Sequence, residues 1–102
     1  MTAAEIVRLM PERYRKGSCP NPTTLYLSID GQRWTVHLDA DGVKVEDGKS
    51  DGKADLVLKT TEKLFVNMVA KGKLPGPIDI ARGRIRTNDP VGLKALKTWF
   101  TI

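Results

Sequence analysis

Apolar and polar residues alternate along two adjacent stretches in the first half of the chain. Alternation over about four to eight residues is typical of a β-strand with one buried face. Between the stretches lies Asp30-Gly31, a dipeptide that favours a two-residue hairpin turn and would place Leu27 opposite Trp34. The alternating apolar residues are Leu25, Leu27 and Ile29 before the turn and Trp34, Val36 and Leu38 after it. Both sets then share one face, so the pattern predicts an antiparallel hairpin.

The alternation returns in three later stretches. The spacing after the hairpin places Leu38 opposite Val43 and predicts a third strand that extends the hairpin into a meander. Residues 54–59 alternate again after a polar, glycine-rich loop and predict a fourth strand. Residues 82–87 read Arg-Gly-Arg-Ile-Arg-Thr and predict a short fifth strand whose arginines share its solvent face.

The first residues of the chain have helical rather than strand spacing. Thr2 and Glu5 stand three positions apart, as in a capping box, and the apolar residues that follow recur every three or four positions. We expect a first helix to about residue 16, bent or broken near Pro11 and ended by a C-cap at Gly17.

Further helices are predicted in the second half of the chain. The Thr60-Thr61 pair provides an N-cap for a second helix, which Gly72 would end. Pro77 could begin a short third helix. Asp89-Pro90 is an N-cap followed by a proline at the first helical position and predicts the start of the final helix.

These elements predict a simple architecture. Every strand is half polar and each long helix has one apolar stripe, so the economical packing is one sheet with all helices on one face. A length of 102 residues suits one domain with one hydrophobic core. We therefore expect a single two-layer α+β domain over residues 1–102, built on a five-stranded mixed sheet whose other face is wet.

Charge is distributed unevenly along the chain. The net charge is +5, but residues 1–51 hold seven Lys and Arg against eight Asp and Glu, whereas residues 52–102 hold ten against four. The second half alone is therefore basic, which suggests an anionic partner: nucleic acid, an acidic lipid surface or a phosphate-bearing small molecule.

Residues that could carry catalysis or bind metal are few. Cys19 and His37 are the only residues of their types, too few for the three or four protein ligands of a zinc site. His37 falls on the polar strand face near Thr24 and Ser28, without the orienting acid and oxyanion hole of a hydrolase. We expect neither cofactor nor catalytic residue. Targeting signals and apolar runs of about 18 residues are absent from the sequence, so a cytoplasmic location is expected.

Three alternating arginines, Arg82, Arg84 and Arg86, form the most basic stretch. The simplest interpretation is the solvent face of a strand, with contact to an anionic surface as a candidate function. Nucleic acid is disfavoured because aromatic residues do not interleave with the arginines. The acidic loop before residue 52 is interpreted as turns rather than a calcium site, since Lys49 stands where an oxygen ligand is required.

Three short motifs stand in a distinctive order. Ala54-Asp55 begins a predicted strand, Gly72-Lys73-Leu74 ends a predicted helix, and Gly83-Arg84-Ile85-Arg86 precedes the last helix. They follow a leading helix containing MPERY and a meander containing LYLSIDGQRWTVHLD. In this order the chain resembles the sterol carrier protein 2 family over almost its whole length, with Asn88 where a glycine is common.

The resemblance implies a non-enzymatic lipid-binding or lipid-carrying domain of a stand-alone, bacterial type. Domains of this family have an apolar tunnel between the sheet and the helices that takes a sterol, fatty acid, fatty acyl-CoA or phospholipid. The residues that would line it here are Trp34, Val36, Leu58, Phe65, Met68, Val69, Leu74, Ile78, Ile85, Leu93, Leu96 and Phe100. Ile80 is also expected to face inward.

Two alternatives stay open. Apolar stripes at helical spacing also describe a filled core, in which case the same scaffold would be an interaction module that docks on a partner protein or on a second copy as a dimer. Nucleic-acid binding through Arg82, Arg84 and Arg86 would instead give a steep dependence of affinity on salt. Oligomeric state is left undecided by the sequence.

Overall fold

The computed structural model describes residues 2–49, 52–72 and 77–101. Its helices are α1 (Ala3–Arg13), α2 (Glu62–Val69), α3 (Pro77–Ala81) and α4 (Ala95–Trp99), and a 3₁₀ turn (Gly92–Lys94) leads into α4. Its strands are β1 (Thr23–Ile29), β2 (Gln32–Leu38), β3 (Val43–Asp47), β4 (Leu56–Thr60) and β5 (Arg86–Thr87). This confirms the predicted α+β class and the order of elements.

The five strands form one mixed sheet in the order β3-β2-β1-β4-β5. Only β1 and β4 are parallel; β2 pairs with β1 and β3, and β5 with β4, in antiparallel fashion. The predicted register is confirmed, since Leu27 lies opposite Trp34 and Leu38 opposite Val43. Asp30 and Gly31 both have positive φ, at 47° and 84°, as a type I′ turn requires.

The first helix begins as predicted but ends sooner. The Glu5 backbone N–H donates to the Thr2 hydroxyl at 3.2 Å and the Thr2 N–H donates to the Glu5 carboxylate at 3.2 Å, which completes the capping box. The helix continues unbroken through Pro11 and ends at Arg13 rather than near residue 16. The following residue, Tyr14, is extended because it forms an antiparallel bridge with Phe100 near the C-terminus.

The later helices also differ from prediction at their ends. Thr61 is the N-cap of α2, but the C-cap is Ala70 rather than Gly72. Asp89 does accept a hydrogen bond from the Gly92 N–H at 3.0 Å, the bond expected of an N-cap. Val91 already has helical dihedral angles, at φ −70° and ψ −36°, and the chain continues from Gly92 first as a 3₁₀ turn.

The fifth strand is much shorter than predicted. Arg82 donates its N–H to Ile78 and Arg84 donates its N–H to Asp79, at 3.0 and 2.9 Å, so these residues close the end of α3. Residues 82–85 therefore lie outside the strand, and only Arg86 and the next residue pair with β4.

Asn88 then fastens β5 to the beginning of β4. Its side-chain oxygen accepts from the Val57 N–H at 2.8 Å, and its side-chain N–H donates to the Asp55 carbonyl at 3.0 Å. Its φ is not positive, so the residue acts through its amide group rather than by adopting a left-handed turn. The Asn88 side chain therefore continues the hydrogen bonding to this part of the sheet after β5 has ended.

The core lies between the sheet and the helices. The buried residues that α1, α2 and α4 contribute form one cluster with the apolar strand residues. The opposite sheet face, called here the outer face, is less wet than predicted. Tyr26 and Thr35 are buried there, because the Thr35 hydroxyl donates to the Gly48 carbonyl at 2.7 Å and the Lys49 ammonium lies 5.7 Å from the Tyr26 ring centre.

Candidate functional site

The interface between sheet and helices brings together most of the residues that the sequence predicts to contact lipid. Ten of the twelve are buried: Trp34, Val36, Leu58, Phe65, Met68, Val69, Ile85, Leu93, Leu96 and Phe100. The N-cap bond of Thr61 fixes the start of α2, so that Phe65, Met68 and Val69 fall on its inner side. We call these ten residues the apolar layer.

The other two predicted residues are not part of this layer. Leu74 lies in residues 73–76, outside the described part of the chain. The Ile78 side chain is 63% exposed and Ile80 is 37% exposed, so the expectation that both face inward is wrong. The physical reason is the shortness of α3, since a helix of five residues has little more than one turn and presents both isoleucines to solvent.

One cavity reaches the apolar layer from the surface. It has a volume of about 270 Å³ and lies between the end of α2 and the C-terminal segment. Val69 and Phe100 provide the apolar part of its wall. Three exposed cations, Arg15, Lys71 and Lys97, line it together with Ala70, Gly72 and Thr101, and among the described residues no Asp or Glu side chain contributes to the lining.

The C-terminal segment holds this cavity in place against α1. The Arg15 N–H donates to the Trp99 carbonyl at 2.8 Å, and the Thr101 N–H donates to the Arg13 carbonyl at 2.9 Å. The rings of Tyr14 and Phe100 pack at a centroid distance of 6.0 Å and an angle of 56°. Segments near both ends of the chain therefore contribute to the cavity wall, together with the end of α2.

The Tyr14 hydroxyl joins three parts of the fold. It donates to the Asp39 carbonyl at 2.6 Å and accepts from the buried Cys19 N–H at 3.1 Å. The end of α1, the loop that follows it and the end of β2 thus meet at one oxygen atom, which positions Arg15 at the cavity.

The three alternating arginines do not share a strand face. Arg82 follows α3, and Arg84 lies in the turn with its guanidinium 3.4 Å from the Asp79 carboxylate. Arg86 alone is in β5, where it lies opposite Lys59. The expected solvent-facing row of arginines on one strand is therefore wrong.

The titratable residues that the sequence singles out, His37 and Cys19, have separate partners. His37 lies opposite Thr24, as predicted, and its ring is 3.5 Å from the Glu46 carboxylate on the exposed side of the sheet. Cys19 is buried, with its sulfur 3.3 Å from the Thr23 hydroxyl. Within the described ranges, His, Cys, Asp and Glu side chains form no group of three that could hold a metal ion.

Sequence reasoning missed the cations of the cavity. Arg15, Lys71 and Lys97 come from three distant segments, and the folded chain alone brings them together. The sequence did give one indication, because the predicted helix ends near residues 16 and 72 place Arg15 and Lys71 at helix termini. Over the part of the chain that the structure describes, no helix is both long and apolar enough to cross a bilayer.

Comparison with known proteins finds solved structures of similar fold. Family models and curated protein sequences give no match. The sec-alkylsulfatase Pisa1 from Pseudomonas sp. matches with a TM-score of 0.78 and 18% identity over 100% of this chain, which spans 17% of the sulfatase. A ubiquinone synthesis protein, UbiJ-SCP2, matches with a TM-score of 0.68 and 16% identity over 93% of this chain and 89% of its own.

Sterol carrier protein 2 from Yarrowia lipolytica, in its apo form, has a TM-score of 0.53 and 16% identity over 97% of this chain and 77% of its own. Together with UbiJ-SCP2, this match confirms the predicted resemblance at the level of fold. The chain has the fold of sterol carrier protein 2 domains. The Pisa1 match concerns a fraction of that enzyme's length and shows a shared fold only.

Proposed function

We propose that this chain is a non-enzymatic lipid-binding domain that carries a lipid between its sheet and its helices. The observation that carries the proposal is the cavity at which the apolar layer, through Val69 and Phe100, meets three cations at the surface. An apolar wall with a few convergent polar groups is typical of a small-molecule site. The fold shared with sterol carrier protein 2 supports the same conclusion.

The cations favour some lipids over others. Arg15, Lys71 and Lys97 would attract a negative head group, while the hydrocarbon chain would contact the apolar layer. Among the lipids that the resemblance implies, fatty acids, fatty acyl-CoA and anionic phospholipids have such a head group, and a sterol does not. We therefore expect the ligand to be an anionic lipid with at least one long hydrocarbon chain.

The cavity is too small for a whole lipid. Its 270 Å³ lies just below the range of roughly 300–1,000 Å³ that is usual for small-molecule sites. A long chain would therefore have to displace side chains of the apolar layer. Met68 suits this role, because its unbranched side chain repacks with little strain and it lies one helical turn from Phe65.

The proposed lipid contacts are the ten residues of the apolar layer together with Leu74 from the predicted set. Ile78 is left out of the proposed contacts because its side chain is exposed. Contact of Arg82, Arg84 and Arg86 with an anionic surface stays a prediction from the sequence, and so does a cytoplasmic location.

The experiment is displacement of a fluorescent fatty acid, followed by native mass spectrometry of the complex. Val69→Trp places a larger side chain at the cavity. The resulting overpacking should weaken the free energy of lipid binding by about 1–3 kcal/mol. We expect probe affinity to fall roughly 5- to 150-fold. Val66→Trp is the matched control, because Val66 is on the same helix, half-buried and outside the proposed contacts.

Equal affinities of the two variants would contradict the site. Failure of fatty acid, acyl-CoA and phospholipid to displace the probe, with a mass spectrum of the empty protein, would contradict the function itself. Circular dichroism of both variants confirms that they fold.

A filled core is the second candidate, and one observation favours it. Val36, Leu58 and Phe65 are 0% exposed and already pack against neighbouring side chains. The domain would then be an interaction module, and light scattering would show a stable dimer or a complex with a partner protein while the lipid titrations stay flat.

A further inference from the structure

Basic residues form a row across the outer face of the sheet. Arg33 of β2 lies opposite Ser28 of β1, Ser28 lies opposite Lys59 of β4, and Lys59 lies opposite Arg86 of β5. Side chains at paired positions point to the same face. Strands are about 4.8 Å apart, so the row from Arg33 to Arg86 spans three intervals, or about 14 Å. We call Arg33, Lys59 and Arg86 the basic row.

The basic row is free of ion pairs with the residues that the structure describes. All three side chains are exposed. Acidic side chains on or beside the face have other contacts: Glu46 is paired with His37 at 3.5 Å, and Asp55 accepts from the Thr24 N–H at 2.8 Å. Asp30, which lines a cavity with Lys59 and Arg86, accepts from the Glu62 N–H at 2.7 Å. Uncompensated cations in a row give a strong local positive potential.

Two cavities flank the row, and Lys59 borders both. One of about 450 Å³ is lined by Lys49, Lys53 and Lys59 above the apolar floor of Tyr26 and Val57. The other, of about 370 Å³, includes Lys59, Arg84 and Arg86 along with Ser28 and one carboxylate, Asp30. Cations therefore border the row on either side, although Arg84 is paired with Asp79 at 3.4 Å.

We propose that the outer face, through the basic row, docks on the phosphate head groups of a bilayer that contains anionic phospholipid. The face is opposite to the cavity at Val69 and Phe100, so this docking does not depend on the lipid cargo. The proposed membrane contact lies on the sheet rather than on Arg82 and Arg84, which follow α3.

The chemistry of the face favours a bilayer over nucleic acid. A single strand would need exposed aromatic rings on which bases stack. On the described outer face, Tyr26 is buried beneath Lys49, and the His37 ring lies 3.5 Å from the Glu46 carboxylate. A duplex is read by an element that enters a groove, whereas this face is a sheet surface. Lipid head groups need only phosphate contacts.

Exposed apolar residues beside the row also suit a bilayer. The turn after α3 is fastened to β4, since the Thr60 hydroxyl donates to the Arg84 carbonyl at 2.9 Å. It carries α3, with Ile78 and Ile80 exposed, next to the edge of the outer face. Apolar side chains adjoining cations are typical of a surface that lies at the membrane interface.

The test is sedimentation with vesicles of phosphatidylcholine alone or with about 30% phosphatidylserine. A Lys or Arg at an anionic surface contributes roughly fivefold in affinity. The triple variant Arg33→Gln, Lys59→Gln and Arg86→Gln should therefore bind the anionic vesicles on the order of 100-fold more weakly. The wild-type protein should not bind the neutral vesicles, and its binding to the anionic vesicles should weaken as the salt concentration is raised.

Two control variants distinguish binding through the outer face from non-specific attraction of a basic protein to anionic vesicles. Arg8→Gln, Lys63→Gln and Lys94→Gln remove the same charge from exposed positions on the helical elements and should weaken binding less than tenfold. Arg82→Gln with Arg84→Gln should also cost less than tenfold.

An equal loss in the two triple variants would overturn the proposal, as would a loss confined to the Arg82 and Arg84 pair. Tighter binding to single-stranded or duplex DNA than to anionic vesicles at the same salt would overturn it too. Fatty-acid displacement should be unchanged in the Arg33, Lys59 and Arg86 variant, so failure here is distinguishable from failure of the proposed cargo site.

Discussion

Removal of one hydroxyl group, in Tyr14→Phe, should loosen the cavity wall and destabilise the whole domain. The hydroxyl donates to the Asp39 carbonyl at 2.6 Å and accepts from the Cys19 N–H at 3.1 Å. Both Tyr14 and Cys19 are buried, at 9% and 5% exposed. Phenylalanine keeps the ring that packs on Phe100 but leaves the Cys19 N–H without a partner.

The expected loss follows from these contacts. An ordinary hydrogen bond contributes about 0.5–1.5 kcal/mol, and a buried donor left unpaired costs about 1–3 kcal/mol. We predict that the free energy of unfolding falls by about 2 kcal/mol, since the Asp39 carbonyl lies near solvent and can be hydrated. For a domain of this size, the melting temperature should fall by roughly 8–16 °C.

The assay is urea denaturation at equilibrium, with Tyr26→Phe as the matched control. Tyr26 is also buried, at 6% exposed, but its hydroxyl makes no hydrogen bond to the described part of the chain. The control should change the unfolding free energy by less than about 0.5 kcal/mol. Equal effects of the two substitutions would refute the claim that the Tyr14 hydroxyl joins α1, the loop and β2.

Three further predictions concern single contacts. Asn88→Ala should speed hydrogen exchange of the Val57 amide, because that N–H donates to the Asn88 side chain at 2.8 Å, and unchanged exchange would contradict the bond. Thr61→Ala should cost about 1 kcal/mol in urea denaturation through loss of the α2 N-cap. The Thr2 hydroxyl, followed by its backbone N–H, holds the pKa of Glu5 below its usual 4.5, so this contribution to stability is present above pH 4.5 and is lost as pH falls through the lowered pKa. Thr2→Ala should raise that pKa in an NMR titration, and an unchanged value would contradict the capping box.

Local chemistry explains why the hairpin and meander could be predicted. A period of two fixes which residues share a face, and Asp30-Gly31 fixes the turn, so the register of Leu27 and Trp34 follows from about a dozen consecutive residues. The N-cap at Thr61 is equally local, since a side chain bonds a backbone group three residues ahead.

Contacts between distant segments explain what could not be predicted. α1 stops at Arg13 because Tyr14 bridges Phe100, which is 86 positions later in the sequence. β5 shrinks because Arg82 and Arg84 bond back to α3. Periodicity carries no information about either contact.

In the candidate site, too, local patterns could be predicted and contacts between distant segments could not. Hydrophobic periodicity placed Phe65 and Met68 correctly on the inner side of α2. The gathering of Arg15 and Lys97 at one cavity depends on how the chain ends pack, and a periodic apolar pattern is the same for a filled core and for a lipid site.

The central claim is that lipid binds between the sheet and α2, and the methyl group of Met68 tests it most directly. The protein would be labelled at its methionine methyl carbons and titrated with oleate. Met68 is 3% exposed and lies in the proposed site, whereas Met10 is 0% exposed in α1, outside the proposed contacts. We predict a large shift of the Met68 methyl signal and nuclear Overhauser contacts between it and the oleate chain, with neither at Met10. Saturation with oleate that leaves the Met68 signal unmoved and without such contacts would contradict the account.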